Sequence, residues 1–489
     1  MSAGTGAVGG AKPASAGLFL PVVAVAVFVS VLTATMINVL IPVIRDEFGA
    51  SAAQVGWVVT GYALAYAIGV PLYGKVSDLF GVRRVFTLGL LGFASGGLIC
   101  ALAPSFAVLV LGRVVQGIGG AAIPALAFVA VAKVLPPGER GAALGIIASS
   151  VGIGSAVGPI AGGAVGQIFG WRPLFYGTLV LMLLLIPIAL RVLPDGGSKG
   201  ERNFDLAGGA LLGLAAGLFL FGITQGQVAG FASFTSWGSF VGAGLAAALF
   251  TRRITSTPHP FVSPMLFRNR AYVAAVLVGF FTMLANVSAL VFVPLLVVEV
   301  NGLSPGAAGL ALTPGAVALA ILSPLSGRLS DRIGVRIPIL AGLTVMAISV
   351  FFISAFGAGA SPILISIGML GIGAGFAFSN PPTANAAANT LPTEEVGAGM
   401  GIFQGLLFLG GGAGPALIGA FLAARKEASS GAINPLYGLD AAPFSDAFLA
   451  MALAVIIALI AAFGLRENIE TNKQSEQFQQ GEALKGESQ

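Results

Sequence analysis

The chain has 489 residues, 56% of them hydrophobic and only 9% charged, with a mean hydropathy of +0.96. Soluble domains carry about 25% charged residues, so this composition excludes a soluble globular protein and marks an integral membrane one. The net charge of +5 arises in loops between apolar runs and gives no reason to expect a nucleic-acid partner.

Apolar runs of roughly twenty residues, enough to cross a hydrocarbon core of about 30 Å, recur along the chain and predict an all-α membrane protein. Fourteen are expected, near residues 18–44, 53–75, 85–103, 105–132, 141–166, 171–193, 206–227, 233–252, 271–297, 305–326, 337–357, 361–388, 397–423 and 444–465. With the termini on one side, nineteen of the 24 Lys and Arg fall on that side. Only Arg45, Arg172, Arg425 and Lys426 fall on the other, and Arg113 lies inside a run. The excess of basic residues predicts a multi-pass protein of the cytoplasmic (inner) membrane with both termini in the cytoplasm. Trp57, Trp171 and Trp237 then sit at outer helix ends, where aromatic belts are expected. Residues 1–17 read as a cytoplasmic tail without a cleaved signal, and residues 466–489, rich in Glu, Gln and Lys, as a disordered cytoplasmic tail.

Two motifs occur twice. Gly74-Lys-Val-Ser-Asp78-Leu-Phe-Gly81-Val-Arg83 returns as Gly327-Arg-Leu-Ser-Asp331-Arg-Ile-Gly334-Val-Arg336, and Gly154-x-x-x-Gly158-Pro159 returns as Gly410-x-x-x-Gly414-Pro415. Pro137-x-Glu139 before Gly141-x-x-x-Gly145 is echoed by Pro392-x-Glu394 before Gly397-x-x-x-Gly401. Runs one to six therefore correspond to runs nine to fourteen. The expected organisation is a six-helix bundle over 18–193, a linker with two additional helices over 194–270, and a second six-helix bundle over 271–465. Parallel repeats of this size place a substrate cavity at their interface near the bilayer midplane and suggest alternating access.

At Gly74 to Arg84 the chain resembles the major facilitator superfamily, whose signature after the second helix is Gly-x-x-x-Asp-x-x-Gly-x-Arg. Leu109-x-x-x-Arg113-x-x-Gln116-Gly117-x-Gly119 in the fourth helix reinforces the resemblance, and Gly154-x-x-x-Gly158-Pro159-x-x-Gly162-Gly163 in the fifth is similar to the antiporter signature. Fourteen helices, Asn38-x-x-x-Pro42, and Pro260-Phe-Val-Ser-Pro after the eighth helix resemble the drug and tetracycline proton antiporters. The resemblance implies the major facilitator fold, export of an amphiphilic drug or antibiotic, and protons as coupling ion.

Each motif has its own physical reading. Gly74 and Gly81, like Gly327 and Gly334, permit tight turns. Asp78 and Asp331 can accept bonds from helix N-terminal amides or pair with nearby arginines such as Arg83 and Arg336, latching one conformation. The alternative is that the basic residues merely enforce topology. Arg113 is the only basic residue placed within the membrane, where a charge costs about 2.5–3.5 kcal/mol on insertion scales. It is expected to face the central cavity with Gln116, or else to snorkel to the outer interface; in related antiporters the corresponding arginine is linked to proton exchange. Gly154, Gly158 and Gly162 let a neighbouring helix approach closely, and Pro159 permits a bend, giving either a hinge or simple close packing; Gly414 and Pro415 repeat the arrangement. Asn385 and Asn389 either contact the ligand in the cavity or stitch helices together, and Asn38 is a further candidate for ligand contact.

Departures from the family pattern matter too. The acid that related antiporters carry before Asn-x-x-x-Pro is replaced by Thr33 and Ala34, and Ser155 and Gly411 stand where tetracycline-type members place acids. No acid is expected deep in any run. A second reading stays open: a transporter of a specific metabolite with different or no ion coupling. Gly69-x-x-x-x-Gly74-Lys75 lacks the Ser/Thr of a phosphate-binding loop, because Val76 follows, so ATP-driven pumping is not expected. One histidine and one cysteine give no basis for a metal site. No enzyme activity and no cofactor are expected.

Overall fold

The structure, a computed structural model, describes residues 16–193, 205–358, 361–428 and 431–465. The two tails predicted at the chain ends, together with Lys199 and Arg202, lie outside these residues, apart from the start of the first helix. Among the described residues the chain is all helical, and fourteen helices are long and apolar enough to cross a membrane. They are α1 (Ala16–Phe48), α2 (Trp57–Phe80), α3 (Val82–Ala101), α4 (Phe106–Val134), α5 (Pro137–Phe169), α6 (Arg172–Val192), α7 (Leu206–Ala229), α8 (Phe234–Ser256), α9 (Arg270–Glu299), α10 (Pro305–Ile333), α11 (Arg336–Phe352), α12 (Pro362–Asn389), α13 (Val396–Ala428) and α14 (Ala442–Ala462). Several exceed the apolar runs by a turn or more. Once the backbone is helical, propagation adds one bond per residue, so a helix continues past its apolar stretch until a cap stops it. Asp205, Ser233, Asn269, Ser304 and Ser361 cap five starts with side-chain oxygens.

Packing repeats with a shift of eight helices. In the first six, α1 packs on α4, α5 and α6, α4 on α2 and α3, and α3 on α6. In the last six, α9 packs on α12, α13 and α14, α12 on α10 and α11, and α11 on α14. Contacts between the two sets obey the same symmetry, with α2 on α13 and α4 on α13 matching α10 on α5 and α12 on α5. The helices α7 and α8 stand outside the repeat. Ile68 of α2 lies against Gly213 and Gly217 of α7, and Leu220 of α7 against Gly412 of α13, so α7 covers the seam between α2 and α13.

Asp205 ties this pair of helices down. Its carboxylate accepts from Gly208 N (2.9 Å), Arg253 Nε of α8 (2.6 Å) and Phe261 N (3.3 Å). Burial opposes its charge, yet these donors hold its pKa below the usual carboxylate value. A depressed folded pKa gives stability that is present above the unfolded value of about 3.9 and is lost as pH falls through the folded value. Asp205→Asn is therefore expected to lower the melting temperature at pH 7, with the difference from the parent shrinking below about pH 4. Thermal unfolding in detergent across that range checks this, and an equal difference at pH 7 and pH 3 contradicts it.

The aromatic belt needs one correction. Trp57 and Trp237 are exposed, but Trp171 is 1% exposed and donates its indole N–H to Glu47 (2.6 Å). An acid on α1 within reach of its N–H draws the ring into the protein.

Candidate functional site

The paired aspartates sit in the last turns of α2 and α10, not in loops, and both reach across to the other six-helix set. Asp78 Oδ1 accepts from Gly397 N (3.0 Å) and Oδ2 from Ala398 N (2.8 Å), the first free amides of α13. Asp331 Oδ1 accepts from Gly141 N and Oδ2 from Ala142 N, both 2.8 Å, near the start of α5. Asp78 thus takes orphan donors at a helix N-terminus and Asp331 takes amides one turn into α5, both where the helix dipole favours a negative charge.

Glycine makes the approach possible. A β-carbon on Gly74 would overlap the carbonyl oxygen of Gly397, and one on Gly327 that of Gly141. Gly74 and Gly327 are helical, so the turn role expected for them is wrong; they serve close contact between backbones. The turn role belongs to Gly81 (φ 85°) and Gly334 (φ 87°), which end α2 and α10 in a conformation that favours glycine.

The expected arginine partners differ as well. Asp78 pairs with Lys133 Nζ of α4 (2.6 Å), while Arg83 donates Nε to the Leu193 carbonyl at the end of α6 and Arg336 lies over the Phe463 ring. At Asp331 the place of Lys133 is taken by a neutral amide. Asn385 Nδ2 donates to Asp331 Oδ1 (3.3 Å), Asn389 Nδ2 to Asn385 Oδ1 (3.2 Å), and Arg140 of α5 to Asn389 Oδ1 (2.9 Å). Asn385 and Asn389 therefore link α12 to α10 and α5 at this face. Lys133 and Arg140 were counted in the sequence only as topology charges; their spacing from the aspartates carries no local signal.

Arg113 is 1% exposed and packs among the first six helices. Its Nε donates to Val58 O of α2 (3.1 Å), Nη1 donates to Gln116 Oε1 (2.6 Å), and its guanidinium stacks on Tyr62 at 4.3 Å. A buried arginine without a carboxylate is held by a carbonyl, an amide and an aromatic face. Gln116 Nε2 is buried without a partner. Asn38 is exposed on α1.

Helices α5 and α13 each carry two glycine faces. Toward their ends in Gly154, Gly158 and Gly162, β-carbons would press on Phe28 O, Leu32 O and Met36 O of α1; Gly410 and Gly414 do the same against Phe280 O and Leu284 O of α9. Toward their starts, Gly141 and Gly145 meet α10, and Gly397 and Gly401 meet α2. One helix thus binds its own set through one half and the opposite set through the other. Pro159 and Pro415 lie inside these helices, which stay continuous.

Two further features have no counterpart in the sequence expectations. Tyr66 of α2 and Phe408 of α13 meet across the two sets with ring centroids 4.6 Å apart, and Gln404, one turn before Phe408, has a buried Nε2 without a partner. Asp446, 1% exposed in the first turns of α14, binds Arg425 (2.6 Å) and Ile433 N (2.7 Å) at the opposite face, where no deep acid was expected.

Fourteen spanning helices, a repeat at a shift of eight and reciprocal carboxylate contacts across it define a polytopic membrane protein with two similar halves. A family profile described as Major Facilitator Superfamily matches residues 23–257 and 275–486. The multidrug resistance protein Stp of Mycobacterium tuberculosis (strain ATCC 25618 / H37Rv) is 31% identical over 403 residues, covering 82% of this chain and 75% of that protein. The tetracenomycin C resistance and export protein of Streptomyces glaucescens is 30% identical over 404 residues, with the same coverage. The riboflavin transporter RibZ of Clostridioides difficile (strain 630) is 26% identical over 383 residues, 77% of this chain and 82% of that one. The crystal structure of the human organic anion transporter MFSD10 (TETRAN) superposes with a TM-score of 0.66 at 16% identity, covering 92% of this chain and all of that one, and so shares the fold. The chain belongs to the major facilitator superfamily, whose members are transporters and not enzymes.

Proposed function

We propose that the protein exports an amphiphilic drug or antibiotic across the cytoplasmic membrane by alternating access, in exchange for protons. The observation that carries the reading is the reciprocal pair of carboxylate contacts, Asp78 on α13 and Asp331 on α5, which close one face of the molecule twice over. In this reading that face is cytoplasmic, both termini lie there, and residues 18–193 and 271–465 rock as two bodies with 194–270 as linker. The glycine faces of α5 and α13 act as pivots. Export is supported by the names of the relatives Stp and the tetracenomycin C protein.

A second reading, a specific metabolite transporter with different or no ion coupling, is favoured by one observation. The buried acids Asp78, Asp205 and Asp446 each have bonded partners near a helix end, and the charge buried away from the Asp78 face in the first set is that of Arg113. A relative bearing the name of a riboflavin transporter fits it as well.

Uptake into everted vesicles separates the two. With tetracycline, ethidium and a neutral dye as probes, an imposed inward-acid gradient is expected to drive accumulation, and Arg113→Ala is expected to lower it by about tenfold or more while protein levels stay constant. Accumulation unchanged on collapsing the gradient would overturn proton exchange. Unimpaired transport by Arg113→Ala would remove Arg113 from the mechanism.

A further inference from the structure

The two seams between the helix sets are unlike. The seam between α2 and α13 lies under α7, whereas the seam between α5 and α10 carries a cleft of about 580 Å³ at the Asp331 face. Its apolar wall comes from Phe19 and Leu20 of α1 and Ile146 of α5, on one set; its charged wall comes from Arg328 and Arg332 of α10, on the other. These arginines are exposed, one helical turn apart on one face, and neither has a hydrogen-bond or ion-pair partner among the described residues. Asp331 beside them is occupied by the amides of α5 and by Asn385. Glu139 is the other acid on the lining. The same face of α10 continues away from the arginines as exposed Leu325, Ile321 and Val317.

We propose that this cleft is a binding site for one anionic phospholipid. Two unpaired guanidiniums at the end of a spanning helix match a phosphodiester, and the apolar stripe of α10 with the wall from α1 and α5 matches an acyl chain lying toward the bilayer. Zwitterionic lipid fits less well, because its ammonium cancels the net negative charge that draws a headgroup to the two arginines. A lipid seated there touches both helix sets, so it favours the state in which α5 and α10 are closed on each other. The site requires the two arginines and the cleft, and it is independent of what the protein transports.

Native mass spectrometry of the purified full chain in mixed micelles tests it by lipid binding alone. Dioleoylphosphatidylglycerol is expected to be retained by the parent and by Arg191→Gln, which removes an exposed arginine on α6 outside the cleft. The double variant Arg328→Gln/Arg332→Gln is expected to bind it about thirtyfold more weakly. Gly138→Trp fills the cleft mouth, where a β-carbon meets nothing within 4 Å, and is expected to expel the lipid with both arginines in place. Equal retention of dioleoylphosphatidylcholine, or full retention by either cleft variant, would overturn the proposal. Inorganic phosphate at millimolar concentration that competes with the lipid as a free ion, and raises the melting temperature as much, would assign the arginines to a soluble anion instead.

Discussion

Asp78→Asn is expected to cut transport by more than about tenfold with normal insertion into the membrane. The asparagine keeps one acceptor but presents an NH2 to an amide that donates, and it leaves the Lys133 ammonium without its carboxylate at a site where that side chain is one-fifth exposed. A hydrogen bond to a charged group contributes about 1.5–3 kcal/mol, and a loss of about 2 kcal/mol moves a two-state equilibrium by about thirtyfold. Asp331→Asn is expected to be milder, because its lateral partner, Asn385, is neutral and donates as well to the oxygen of a side-chain amide as to a carboxylate. Vesicle transport normalised to protein content checks both, and a variant at Asp78 within twofold of the parent would remove it from gating.

Gly327→Val should be more disruptive to movement than to folding. Its side chain would occupy the space of the Gly141 carbonyl, so α5 and α10 cannot come together, while each six-helix set keeps its own packing. Gly74→Val should act likewise against Gly397 across the other seam. Both variants are expected to be trapped with the Asp78 and Asp331 face open and to lose transport. A reporter cysteine at Ser330, 3% exposed on α10, reads this directly, since the protein's single native cysteine, Cys100, is fully buried. Labelling of Ser330→Cys by N-ethylmaleimide should rise at least severalfold when Gly327→Val is added. Unchanged labelling would mean that the closed face survives the added side chain.

These expectations rest on residues of very different legibility. The aspartates and glycines were readable because a duplicated chain prints its shared constraints twice, and helix N-terminal amides were already the natural acceptors' partners for a carboxylate at that place. Lys133 was not readable. It is 55 residues from Asp78 in sequence, and only the packing of α2 on α4 brings the two together. Asn385 and Asn389 showed a shared helix face, yet a face says nothing about which neighbour it meets, and the choice between ligand contact and stitching waited on the position of Asp331 and Arg140. Arg113 was legible as a buried charge with Gln116 beside it, but its placement within the first set depended on the rotation of α4 about its axis.

By itself the sequence determined the class: hydropathy and length require spanning helices, basic residues suggest their orientation, and repeated motifs set the correspondence of first and last helices. Those properties are local or periodic, and they survive whatever the helices do to one another. The tertiary structure alone decided that Gly74 and Gly327 serve contact and not turning, that Trp171 is inside, that Asp446 is paired with Arg425, and that one seam is covered while the other holds a cleft. All of these depend on helix rotation and on contacts between residues far apart in the chain. A pattern of apolar residues with no polar face leaves that rotation open, because in a bilayer every face of a helix can be apolar.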